Sequence, residues 1–216
     1  MKKMIATLLI AMLLMSACAF AETAAPSITI SQIIVPTGGV EVAEDFVVAL
    51  KVVAEETEEK KVLDEIIAFV VEEPVATYFG EEVMTVAAAY LPEELDNSTL
   101  VMDEFFVLEE ENYDENYGDV TATFEFVTPY EDGAVLIAMI GVLPTEEALA
   151  ENEEAAITWI PIPAVAAEGK VQITFTQDVF TSLQNNKCVC ALLRAEDVDA
   201  AILDTEASET EVSPAA

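Results

Sequence analysis

Asp119-Val120-Thr121-Ala122-Thr123-Phe124-Glu125-Phe126-Val127 sets Val, Ala, Phe and Phe at alternate positions, with Thr, Thr and Glu between them. A period of two belongs to a strand with one buried and one wetted face. The same period recurs on either side. It predicts strands at Glu104–Glu110, Ala134–Leu143, Ala156–Ile162, Lys170–Phe175 and Lys187–Arg194. Asn112–Gly118, Thr128–Gly133 and Ala164–Gly169 supply the turns between them. Short helices are expected after Pro144-Thr145 and at Gln177–Leu183, where Thr176 or Asp178 caps. Strands spaced roughly 12–20 residues apart predict an all-β, immunoglobulin-like sandwich.

Upstream, Ser27–Val35 reads as a strand, Pro36-Thr37-Gly38-Gly39 as a turn, and Val40–Ala54 as a second strand broken near Glu44-Asp45. The period then changes to 3.6. Thr57 is a candidate N-cap, Glu58 and Glu59 fit a first turn, and Val62, Leu63, Ile66, Ile67 and Val70 share one helical face. A second helix is expected from Gly80 to Leu91, stopped by Pro92. The expected class is α+β. A small β-plus-two-helix domain at 22–97 precedes the sandwich at 98–195, and an acidic flexible tail at 196–216 follows.

The chain has 216 residues, 42 Asp+Glu, 8 Lys+Arg and no His, for a net charge of -34; 53% of residues are hydrophobic. That apolar content excludes wholesale disorder. The charge excludes a nucleic-acid binder and disfavours anionic membrane surfaces. The absence of His excludes Ser-His-Asp and Cys-His catalysis and two-His metal sites.

Residues 1–21 read as a secretory signal peptide. Lys2 and Lys3 precede the apolar run Met4–Met15, and Ala19-Phe20-Ala21 is a small-x-small cleavage site. Met15-Ser16-Ala17-Cys18 offers lipidation at Cys18 as the alternative. Leu143-Pro144-Thr145-Glu146 lacks the Gly of a sortase signal. Cutting after Ala21 removes two lysines and no acid, which takes the charge from -34 to -36.

Cys188 and Cys190 stand two apart on an expected strand. Their Cα atoms would then lie roughly 6.5–7 Å apart, at the limit for a disulfide, so they read as small apolar core groups. Trp159, flanked by Ile157, Ile160 and Ile162, reads as core. The calcium candidate is Asp114, Asn116 and Glu125, at positions 1, 3 and 12 of a loop. Gly118 and Asp119 stand in reversed order within it, and a strand follows where a helix belongs. No other cofactor is indicated. Tyr113, Tyr117 and Tyr130 on loops are either a recognition patch or corner tyrosines whose hydroxyls hold local backbone.

Residues 112–133 (NYDENYGDVTATFEFVTPYEDG), 171–184 (VQITFTQDVFTSLQ) and 63–83 (LDEIIAFVVEEPVATYFGEEV) resemble uncharacterised secreted two-domain proteins of anaerobic Gram-positive bacteria. That resemblance implies secretion and a C-terminal immunoglobulin-like sandwich without catalytic motifs. The expected function is a secreted or cell-surface, non-catalytic binding or structural module. Its partner is an extracellular protein or glycan, favoured by charge to be cationic. The alternative is a small carboxylate-dependent hydrolase of glycosidase type, whose two acids sequence alone does not single out.

Overall fold

The computed structural model describes residues 28–36, 41–51, 53–54, 57–71, 73–152, 156–183 and 188–196. The expected signal peptide with Cys18, the turn at Thr37-Gly38-Gly39, and the tail from 197 onward lie outside the described residues. The strands are β1 (Ile28–Ile34), β2 (Val47–Lys51), β3 (Leu100–Glu111), β4 (Val120–Phe126), β5 (Val135–Val142), β6 (Thr158–Ala167), β7 (Lys170–Phe175) and β8 (Cys188–Ala195). The helices are α1 (Glu58–Val70), α2 (Val75–Phe79), α3 (Glu81–Ala88), α4 (Glu146–Glu151) and α5 (Gln177–Leu183).

The β-rich character expected from the period of two is present. All eight strands form one antiparallel sheet in the order β1-β4-β7-β6-β5-β8-β3-β2. Its two edges, β1 and β2, come back alongside each other without a ladder between them, so the sheet curls nearly into a barrel. This refines the expected sandwich, because the strands form one hydrogen-bonded series. β1 pairs with β4 and β2 with β3, so the two upstream strands join those downstream.

Two cores follow from this curl. Inside it, alternate residues of the strands meet: Phe106 and Leu108 of β3, Phe124 and Phe126 of β4, Ile173 and Phe175 of β7, and Cys188, Cys190 and Leu192 of β8. Outside it, Ile137 and Met139 of β5 with Ala191 and Leu193 of β8 pack against Val75, Phe79, Met84 and Ala87 of α2 and α3. Val107 and Val189 pack against Val62 and Ile66 of α1. β5 and β8 are thus buried on both faces. That is why VLIAMIGV and CVCALL run apolar, where the half-exposed β4 alternates. Both thiols are free and buried inside, and burial pushes the Cys188 thiol up to about 12.

Local rules fix the elements. Thr57 Oγ1 accepts from Lys60 N at 3.2 Å and caps α1. Thr145 Oγ1 accepts from Ala148 N at 3.1 Å and caps α4. The expected Gly80–Leu91 helix is present as α3, Glu81–Ala88, and a further short helix, α2, precedes it. Gly80, at φ 82°, breaks between them in a conformation that suits glycine. The expected turn at Ala164–Gly169 shrinks to Glu168-Gly169, both at positive φ, which is a two-residue hairpin turn. Pro161 and Pro163 pair with Met139 and Ile137 of β5 but lie ahead of the β7 ladder, which begins at Ala164. Their missing N–H groups therefore face an edge that has no partner strand.

Trp159 lies on the outer face, half-buried, with its ring edge-on to Phe79 at 4.9 Å. It sits over Gly141, its partner across β5 and β6. A Cβ at Gly141 would come within 2.7 Å of the indole and 2.6 Å of Val189 Cγ2. Glycine is required there by the close approach.

Candidate functional site

Among the described residues, the seam between β1 and β2 is closed over only in part. The chain from 41 to 46 folds back there, with Phe46 N donating to Ala43 O at 3.1 Å. The turn is held from outside itself. Ala43 N donates to the Tyr117 hydroxyl at 2.8 Å, and Asn112 Nδ2 donates to Asp45 O at 2.9 Å. An aromatic series carries this hold into the core. Phe46 meets Tyr117 edge-on at 5.2 Å, Tyr117 meets Tyr113 at 5.9 Å, and Tyr113 stacks on Phe180 of α5 at 4.7 Å. Tyr113 also donates to Gly118 O at 2.6 Å.

Tyr113 and Tyr117 are therefore buried: the Tyr113 hydroxyl holds local backbone at Gly118, whereas the Tyr117 hydroxyl holds Ala43 of a distant segment. What they build is a groove. Ile33, Val35, Val42, Phe46, Val47 and Val48 line an open apolar hollow of about 500 Å³. Most of these side chains rest on the inner core without being covered by it, and Val47 remains 39% exposed. The barrel interior, in contrast, is filled. A cavity of about 10 Å³, the size of one water, lies among Val48, Leu108, Phe175, Phe180 and Cys188. Glu110 at its rim is pushed up by burial and held down in part by the Tyr113 N–H it accepts.

At the other end of the barrel the third tyrosine joins a charged cluster. A β-bulge at Asp103 shifts the register between Met102 and Glu104. Beyond it Glu104 falls in the inward-facing set of Phe106 and Leu108. The Tyr130 hydroxyl donates to Asp103 Oδ2, and Arg194 Nε donates to Oδ1 at 3.3 Å. Burial and this hydrogen bond raise the Tyr130 hydroxyl. Burial first, and Asp103 second, push the Glu104 carboxyl up to about 7. Arg194 is the single arginine of the chain. Sequence reasoning missed this cluster, since a bulge that turns one acid inward has no signature among 42 acids.

The calcium candidates are not brought together. Asp114 Oδ1 accepts from Asn116 N at 2.8 Å and Nδ2 at 2.6 Å and so caps the 3-10 turn Glu115–Tyr117. Glu125 lies five strand residues beyond Val120, roughly 16 Å along β4. It pairs there with Lys170 at 2.6 Å, which holds its carboxyl below the usual range. The reason is the one visible in the loop itself: a strand leads position 12 away. No group of three or more Cys, Asp or Glu side chains placed to hold a metal ion occurs among the described residues.

No family model, curated protein or solved structure matches the chain.

Proposed function

We propose that the protein is a secreted or cell-surface, non-catalytic binding or structural module. Its partner is an extracellular protein or glycan of cationic character. The observation that carries this reading is the contrast between a barrel interior filled with side chains and an apolar groove that the described residues leave open on its wall. A filled interior suits a scaffold, and an open apolar patch with a structured rim suits recognition. The charge of -34 supports a cationic partner and opposes nucleic acid and anionic membrane surfaces. The resemblance to secreted proteins of anaerobic Gram-positive bacteria agrees with it.

In this reading the N-terminal cut follows Ala21, with lipidation at Cys18 as the alternative. Mass spectrometry of the mature terminus distinguishes them. Residues 22–97 contribute two strands and an outer helical layer to the sheet completed by 98–195, in place of an independent domain beside an immunoglobulin-like sandwich. The functional test is capture from extracellular and surface extracts by the immobilised protein. A partner released by moderate salt supports the reading, and failure to capture any component contradicts it.

The alternative, a carboxylate-dependent hydrolase, would take Glu104 as its acid, since burial and Asp103 raise its carboxyl to about 7, but neither of the two hollows described above borders it. Turnover of glycans that Glu104→Gln abolishes would establish it. No turnover across a glycan panel would remove it.

A further inference from the structure

We propose that the seam between β1 and β2 docks an extended, cationic segment of another protein, which lays its backbone along an open strand edge and its apolar side chains in the groove. This rests on the reading of the molecule as a binding module and adds the site and the chemistry of the partner. Among the described residues β1 pairs only with β4 and β2 only with β3, so each presents one row of backbone N–H and C=O groups without a strand partner. Such edges are templates for a further strand unless lysine, proline or a covering element blocks them. β1 (ITISQII) carries neither a charge nor a proline. The one lysine of β2, Lys51, is turned to Glu59 at 3.3 Å.

The groove supplies what an edge alone lacks, a place for alternate apolar side chains. Its rim sets the sign. Glu41, Glu44 and Asp45 are exposed on the turn beside it, and Glu109 and Glu111 are exposed on β3 next to β2. A second copy of this chain, itself at -34, would bring like charge to that rim, so the fitting occupant is basic at its ends.

The probe is a labelled eleven-residue peptide that alternates valine and threonine between terminal lysine pairs, titrated by fluorescence anisotropy. Its counterparts carry glutamate pairs, or proline at alternate positions. The lysine peptide is expected to bind roughly tenfold or more tighter than either, and more weakly as salt rises. Val47→Lys, at an exposed position, is expected to weaken it roughly tenfold. Glu44→Lys on the rim serves in its place if Val47→Lys lowers the melting temperature. Equal binding of lysine and glutamate peptides, no binding, or indifference to both variants overturns the proposal. Self-association abolished by Val47→Lys would overturn it in favour of a second copy. If a captured extracellular partner is indifferent to Val47→Lys, the seam proposal fails and the binding-module reading stands. If no partner is captured, the module reading fails and the peptide titration alone decides the seam.

Discussion

Glu104→Gln removes a charge that the fold holds at a cost. The folded carboxyl titrates at about 7 against 4.5 for the free side chain, because β3 turns it inward beyond the bulge with Asp103 adjacent. That gap corresponds to roughly 3 kcal/mol, and partial exposure of the side chain reduces it to ~1–2 kcal/mol. The sign follows from proton uptake. Between those two values the folded state binds the extra proton. The stability linked to Glu104 is therefore full below the unfolded value, is lost as pH rises through the folded one, and stays lost above it. Glutamine keeps the shape without the charge. At pH 8 the variant is expected to melt higher than the parent by about 2–4 °C per kcal/mol. Near pH 4.5 the two are expected to melt together. Because only the difference is read, general relief of the -34 charge on acidification cancels. Scanning calorimetry of both proteins from pH 4.5 to 8 is the assay. A variant less stable at pH 8, or a difference that ignores pH, refutes the inward, desolvated placement of Glu104.

Gly141→Ala is expected to cost about 1–3 kcal/mol through overpacking against Val189 and Trp159. Displacement of the single tryptophan should shift its fluorescence to longer wavelength, and an unchanged spectrum and melting temperature would contradict the contact. Tyr117→Phe leaves the Ala43 N–H without its acceptor and should cost about 1–2 kcal/mol, with faster exchange of that amide. Unaltered exchange would show that the turn holds itself. Cys188 and Cys190, buried and raised in pKa, are expected to resist thiol reagents in the native state and to react in denaturant. Fast native labelling would contradict the inner core.

The elements were legible because their signals are local. Period two marked the strands, Thr57 marked the start of α1, and the continuous apolar run at 188–193 marked a buried strand. Ala164–Ala167 misled because alanine carries no strong strand signal, while pairing with β5 and β7 holds this stretch extended. Pairing itself was not legible. That β1 finds β4, some 90 residues away, depends on closing the sheet and on no motif in either strand. The site shows the same limit. Tyr113 and Tyr117 stood out as residues, but their roles depend on Ala43 and Phe46 of the 41–46 turn and Phe180 of α5 arriving from two other segments. Glu104 was hidden because the bulge at Asp103 resets the inside-outside alternation that sequence reading assumes to run on.

β1 and β2 belong to this sheet as its two open edges. Residue-resolved amide exchange of the native protein tests this placement most directly. An antiparallel edge strand donates to its neighbour from alternate residues only. Within Ile28–Ile34 and Val47–Lys51, alternate amides should therefore be protected to the level of β4 and β3, with the phase reset at the Ile30/Gln32 bulge. The amides between them, facing the seam, should exchange fast. Uniformly fast exchange in both strands would remove them from the sheet, and uniformly slow exchange would show the seam already closed.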